Sequence, residues 1–136
     1  MEQPQARSKR QLYKILVIDD DPSGTELLIT LLGLEGFHGS RLEDWADPLA
    51  DVERQRPDLV IMDVYLSGRD GVELLGDIRA HSEPRIANTP VLMMSAENLE
   101  TRCLSAGANG FVEKPFDLGK LVATIREIVE VGLLEN

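Results

Sequence analysis

The sequence predicts an α/β chain, a parallel sheet with helices on both faces. Three observations point there. Short apolar runs recur at Ile15-Leu16-Val17-Ile18, Leu59-Val60-Ile61-Met62 and Val91-Leu92-Met93-Met94, the pattern of strands buried on both faces. Between them lie stretches whose apolar residues repeat at helical spacing. Glycine and proline punctuate the joins, and a strand–helix alternation kept up along the chain implies parallel strands with crossover helices.

The elements follow in order. Residues 1–12 read as a flexible tail; the first ten are polar and aperiodic, and Arg7, Lys9 and Arg10 are solvated there. Residues 14–18 form the first strand. A helix starts at Pro22, whose fixed φ suits a first turn, carries Leu27, Leu28, Leu31 and Leu32, and is ended by Gly33 and Gly36. Residues 37–42 read as a weak edge strand. Residues 45–56 read as an irregular helix, with Pro48 near its start and Pro57 beyond it. Residues 59–62 make a second buried strand that ends at Asp63. Leu74, Leu75 and Ile78 give one face of a helix, and 83–90 read as a loop. A third buried strand, 91–94, ends at Ser95. Leu99, Cys103 and Ala106 indicate a helix stopped by Gly107, and Phe111-Val112 a short final strand. Leu118, Leu121, Val122, Ile125, Ile128 and Val129 build a long amphipathic closing helix. With no linker or repeat, residues 13–134 read as one domain. Met62, Met93 and Met94 are core filler, Cys103 is a small apolar helix residue, and His38 and His81 are exposed bystanders.

Composition excludes several functions. A net charge of -10 over 136 residues repels phosphate backbones, which argues against direct nucleic-acid binding. The single cysteine permits neither an internal disulfide nor a thiolate metal cluster, in keeping with a reducing cytosol. No apolar stretch approaches the ~20 residues of a membrane span. The polar opening is no signal peptide, so the chain is expected in the cytoplasm and away from membranes.

The chemistry gathers at strand ends, where open parallel sheets bind ligands. Asp19, Asp20 and Asp21 crowd three carboxylates after the first strand. Like charges held together call for neutralisation, and a hard divalent cation, Mg²⁺ or Mn²⁺, takes oxygen ligands. The alternative is an acidic turn that caps a helix. Asp63 ends the second buried strand, Ser95 the third, and Lys114 follows the last. Neighbours on a strand point to opposite faces, so Asp19 and Asp20 reach one pocket only where the strand unravels. Asp20 is expected to be the more direct metal ligand, with Asp19 further out.

The segments Ile18-Asp19-Asp20-Asp21-Pro22, Pro57-Asp58-Leu59-Val60-Ile61-Met62-Asp63 with Asp70-Gly71, Met94-Ser95-Ala96, and Gly107 to Phe116 around Lys114-Pro115 stand in this order along the chain. In them the chain resembles the receiver domain of two-component response regulators. That resemblance implies a flavodoxin-like (βα)5 fold with strand order 2-1-3-4-5. It implies that Asp63 is the phosphoacceptor and that Asp19, Asp20, Asp63 and the Tyr65 backbone carbonyl hold Mg²⁺. Ser95 takes the switch-hydroxyl position, Lys114 the lysine position and Phe111 the aromatic switch position, with a cis Lys114-Pro115 bond. The implied function is a phosphoacceptor switch, not an enzyme on other substrates. A histidine kinase or histidine phosphotransfer protein would load it, and the surface of the fourth helix, last strand and last helix would change shape for a downstream protein effector. Dimerisation through the last helices is left open. The chain departs from the family pattern at Ser67, where proline is usual and the loop is expected to loosen, at Phe111, which lacks the hydroxyl of tyrosine, and at Ser95, which replaces threonine. Tyr65 and Glu97 stand two positions after the acceptor and the switch hydroxyl.

Two rivals remain at this point. Asp19-Asp20-Asp21-Pro22-Ser23 partly mimics the Asp-x-Asp-x-Thr start of haloacid-dehalogenase-type phosphatases, with Asp19 as nucleophile. The other is an interaction domain that works without phosphorylation.

Overall fold

The computed structural model describes residues 12–134. The tail expected over residues 1–12 lies, apart from Leu12, outside the described residues. Five strands, β1 (Lys14–Ile18), β2 (His38–Arg41), β3 (Leu59–Asp63), β6 (Val91–Ser95) and β7 (Gly110–Glu113), form one sheet in the order β2-β1-β3-β6-β7. Every pairing is parallel. A two-stranded antiparallel hairpin, β4 (Tyr65–Leu66) with β5 (Arg69–Asp70), stands after β3. The helices are α1 (Pro22–Leu34), α2 (Pro48–Gln55), α3 (Gly71–Arg79), α4 (Pro84–Ala87), α5 (Glu100–Ser105) and α6 (Leu118–Leu134).

The alternation of the strands divides the core into two layers. Leu16, Ile18, Val60, Met62, Val91 and Met93 face one side, with α2, α3, α4 and α5 supplying Val52, Leu74, Leu75, Ile78, Ile86 and Cys103. Ile15, Val17, Leu59, Ile61, Leu92 and Met94 face the other, under Leu28 and Leu32 of α1 and Leu121, Ile125 and Val129 of α6. The three central strands are buried along nearly their whole length, which explains their unbroken apolar runs.

Several elements differ from the sequence reading. Helix α2 starts at Pro48, because the Asp47 side chain caps it by accepting from Ala50 N–H at 3.2 Å; Trp45 is left on the preceding turn. Residues 84–87 form a short helix where a loop was expected. In α1, Leu28 and Leu32 reach the core while Leu27 is 60% exposed, since adjacent leucines cannot share one helical stripe. Gly33 lies inside α1, and Gly36, with φ 93°, makes the turn after it. The hairpin had no periodicity to reveal it. His38 is exposed as expected, but His81 is not: its Nε2 lies 2.6 Å from Glu53 Oε2, and its Nδ1 accepts from Glu83 N–H at 2.9 Å. Cys103 and the three methionines are core residues, and burial pushes the Cys103 thiol up.

The β2–α2 loop is pinned from inside. Asp51 is fully buried, accepts from the N–H groups of Glu43 and Asp44 at 2.7 and 2.8 Å, and pairs with Arg54. On the opposite side of the sheet edge, half-buried Arg79 donates to the carbonyls of Gly107, Ala87 and Thr89 and to Asn109 Oδ1, at 2.7–2.9 Å.

Candidate functional site

The residues that the sequence placed at strand ends meet at the carboxyl edge of the sheet. Lys114, just past β7, donates to Asp63 Oδ2 at 2.5 Å and to Asp19 Oδ2 at 3.5 Å. One ammonium is thus shared by carboxylates from two neighbouring strands. The pleat explains the grouping. Counting along each strand, Asp19 falls in step with Ile15 and Val17, Asp63 with Leu59 and Ile61, and Lys114 with Val112, all on the α1/α6 side. Asp20 falls in step with Ile18, on the other side. Its Oδ2 accepts the Ser67 N–H at 2.6 Å instead. The third acid, Asp21, is the helix cap: its Oδ1 accepts from Ser23 N–H at 3.2 Å. The capping reading therefore holds for one of the three aspartates, while Asp19 joins Lys114 and Asp20 turns to Ser67.

Burial and charge set the electrostatics. The side chains of Asp19, Asp63 and Lys114 are 10%, 12% and 32% exposed. Burial works to lower the Lys114 pKa, but the hydrogen bond with Asp63 and the charges of Asp19 and Asp63 outweigh it and hold the ammonium above its usual range. Asp20 is held below the usual carboxylate range, foremost by hydrogen bonding from Ser67. The other Asp63 oxygen, Oδ1, accepts from Tyr65 N–H at 3.2 Å. Directly behind Asp63 lies Gly71, where any Cβ would stand 2.2 Å from the Asp63 carbonyl oxygen; that approach requires the glycine of the Asp70-Gly71 pair, while Asp70 caps the helix that follows.

The remaining predicted residues surround this centre, Ser95 and Tyr65 meeting it through backbone groups and not through their side chains. Ser95 is buried, and its Oγ accepts from Glu97 N–H at 3.1 Å while its carbonyl accepts from Lys114 N–H at 2.8 Å. Phe111 pairs in register with Met93, packs half-buried against the first core layer, and so lies on the same sheet face as Ser95, two residues away in register. Tyr65 is 53% exposed, with its hydroxyl 3.5 Å from Glu97 Oε1. The Lys114-Pro115 bond is cis.

Three carboxylates against one ammonium leave two negative charges uncompensated. Among the described residues, no three His, Cys, Asp or Glu groups are gathered closely enough to hold a metal unaided, because Asp20 turns to Ser67 and Lys114 stands between Asp19 and Asp63. The donor set is nonetheless all oxygen, which suits Mg²⁺: that ion is held by one or two carboxylates and keeps several waters.

Sequence reasoning missed the role of Ser67. Its N–H anchors the loop to Asp20, a bond that proline cannot make, so the departure from the usual residue ties the loop down where loosening was expected. It also missed the Arg102–Asp70 pair at 2.5 Å and a cleft of about 420 Å³ beside Asp19 and Asp20. None of these has a signal in periodicity or motif spacing.

Comparison with known proteins accords with this geometry. Residues 15–126 match the response regulator receiver domain family. The chain is 37% identical over 116 residues to the DNA-binding response regulator MtrA of Mycolicibacterium smegmatis, covering 83% of this chain and 49% of that one. It is 35% identical over 123 residues to the nitrogen assimilation regulatory protein NtrX of Azorhizobium caulinodans, covering 87% and 26%. The chain thus spans half or less of these two relatives. Among solved structures, the chemotaxis response regulator CheY4 of Vibrio cholerae superposes with a TM-score of 0.77 at 26% identity, over 87% of this chain and 99% of that one. The receiver domain of the sensor histidine kinase PA1611 of Pseudomonas aeruginosa PAO1, which has a magnesium ion coordinated in its active-site cleft, superposes with a TM-score of 0.75 at 26% identity, over 87% and 98%. With Asp63, Asp19 and Lys114 joined at the carboxyl edge of a five-stranded parallel sheet, the chain belongs to the response regulator receiver domain family, the phosphoacceptor switches of two-component signalling.

Proposed function

We propose that Asp63 accepts a phosphoryl group from a phosphohistidine on a partner protein, a histidine kinase or a histidine phosphotransfer protein. The observation that supports this most is the single Lys114 ammonium shared by Asp63 and Asp19. An Asp63 carboxylate oxygen bonds to phosphorus as the phosphorus–nitrogen bond of the donor breaks; the electron pair leaves with the imidazole, which takes up a proton. Such transfer depends on positioning and charge neutralisation more than on covalent strain. Asp19, Asp20, Asp63 and the Tyr65 carbonyl would hold Mg²⁺, which when bound supplies positive charge to the phosphoryl oxygens. Lys114 supplies the second cation and shifts from the Asp63 carboxylate to the new phosphoryl group.

The product carries about -1.5 to -2 charges. Ser95 exchanges its bond from Glu97 N–H for one donated to a phosphoryl oxygen, and the space it leaves is filled by Phe111 on the same sheet face. The surface of α5, β7 and α6 shifts population between two states for a downstream protein effector. The domain works on its own acyl phosphate and on no other substrate. The net charge of -10 speaks against direct contact with nucleic acid, and the single cysteine suits the cytoplasm. Among the described residues no helix is long and apolar enough to cross a membrane. The phosphatase alternative requires Asp19 as nucleophile, but Asp63 is the carboxylate that Lys114 contacts more closely, at 2.5 Å against 3.5 Å for Asp19.

The test is to incubate the protein with acetyl phosphate and Mg²⁺ and to map the labelled peptide by mass spectrometry. Label on Asp63, lost in Asp63→Asn and when a chelator removes the Mg²⁺, supports the switch. Label on Asp19 supports the phosphatase. Partner binding that is unchanged in Asp63→Asn, with and without phosphodonor, supports the phosphorylation-independent domain.

A further inference from the structure

Beside the phosphoacceptor centre lies a cleft of about 420 Å³, of whose lining the chemistry above uses only Asp19 and Asp20. Its walls are Val17, Pro22, Leu42 and Trp45 on the apolar side, and Asp19, Asp20, Thr25 and Ser67 on the polar side. Arg41 also borders it, but that guanidinium is paired with Glu26. Val17 and Leu42 are buried and form the floor, whereas Trp45 is 42% exposed and stands at the rim. The cleft is preformed, because buried Asp51 holds the N–H groups of Glu43 and Asp44 and so fixes the turn that carries Trp45.

We propose that this cleft binds a small organic cation with a flat apolar body, an aryl or heteroaryl ammonium or amidinium. Mostly apolar walls with a few placed polar groups are the usual make-up of a small-molecule site. Asp19 shares the Lys114 ammonium and Arg41 is paired with Glu26, so it is the Asp20 carboxylate, bonded by the Ser67 N–H, that selects positive charge, and an exposed indole attracts a cation through its ring face. An anion finds only Arg41, which Glu26 already neutralises. Asp19 and Asp20 belong both to this cleft and to the proposed Mg²⁺ site, so the occupant competes with the metal and slows loading of Asp63. That second part rests on the phosphoacceptor reading; the binding itself does not.

Trp45 is the only tryptophan in the chain, so its fluorescence reports on the cleft directly. The full chain is titrated with benzamidinium at low salt without metal, followed by fluorescence and by backbone amide shifts. The expected result is a saturable change, with shifts at Val17, Leu42 and Ser67 and an affinity roughly tenfold above that of neutral, isosteric benzamide, the scale of one cation–aromatic contact plus one ion pair. Asp20→Asn weakens binding of the cation and leaves benzamide unchanged. Trp45→Ala loses the amide shifts yet keeps acetyl phosphate labelling of Asp63. Equal binding of benzamide, shifts located elsewhere, or no saturation overturns the proposal. Benzamidinium that leaves the Mg²⁺ binding curve unmoved overturns the competition. Absence of label on Asp63 in the unmodified protein overturns the phosphoacceptor reading and leaves the binding result standing.

Discussion

The Arg102 guanidinium donates to Asp70 Oδ2 at 2.5 Å and ties α5 to the cap of α3. The same Asp70 accepts from Val72 N–H at 2.8 Å through its other oxygen. Both the hairpin beside Asp63 and the helix that follows Ser95 are therefore joined by one carboxylate. Arg102 is about half exposed, and exposed ion pairs contribute about 0–1 kcal/mol. Arg102→Gln is expected to leave the urea midpoint nearly unchanged. It should raise amide hydrogen exchange across residues 99–105 without loosening β3. Unaltered exchange in α5 would show that the pair holds nothing in place.

Gly71 has no room for a side chain. The Asp63 carbonyl oxygen would lie 2.2 Å from its Cβ, and both groups belong to backbone that cannot rotate away. Gly71→Ala must therefore displace either the start of α3 or the acceptor strand. A destabilisation of about 1–3 kcal/mol is expected, in the range of overpacked cores, with slower labelling of Asp63 by acetyl phosphate. Equilibrium urea unfolding and labelling kinetics measure the two effects. Wild-type values for both would mean that the close approach is not maintained in solution.

Asp20 gives a pH signature. Its carboxyl is held below the ordinary value by bonds from Ser67, so it binds fewer protons folded than unfolded in the window between the two values. The contribution to stability is present above the unfolded value of about pH 4 and is lost as the pH falls through the lower folded one. Ser67→Pro removes the N–H donor. The Asp20 carboxyl, followed by ¹³C NMR, should then titrate nearer its ordinary value. The stability curves of wild type and variant should converge below that window and separate above it. A wild-type Asp20 titration in Ser67→Pro would assign the depression to some other group.

How much of this was legible in the sequence depends on the kind of interaction. The three buried strands were read correctly because burial on both faces writes itself as unbroken runs such as Leu59 to Met62. The ends of those runs located Asp19, Asp63 and Ser95, and the short final strand located Lys114. Strand alternation, carried across β1, β3 and β7, also contains the finding that Asp19 and not Asp20 shares Lys114 with Asp63. The start of α2 was misjudged because the apolar spacing runs through Trp45, while the boundary is set by Asp47 and Pro48. His81, Ser67 and Arg102 were unreadable for another reason. Their partners Glu53, Asp20 and Asp70 lie 28, 47 and 32 positions away, and one polar residue gives no sign of which distant one it will meet.

Tyr65 bears on how long the phosphoryl group persists. It follows Asp63 by two positions, its N–H is bonded to the acceptor carboxylate, and its hydroxyl lies 3.5 Å from Glu97, whose own N–H is bonded to Ser95 Oγ. The residue thus links Asp63 to the loop that follows Ser95. Hydrolysis of an acyl phosphate needs water in line with the bond to Asp63, and a bulky ring at the mouth of the site restricts that approach. Tyr65→Ala is expected to shorten the phosphate lifetime several-fold, with the rate of loading by acetyl phosphate changed less. Glu97→Ala, which frees the ring from its tether, should fall between the two. The decay of acid-stable, hydroxylamine-sensitive label after removal of the donor measures this order. A lifetime that does not shorten when Tyr65 is made small would assign control of water entry to another part of the rim.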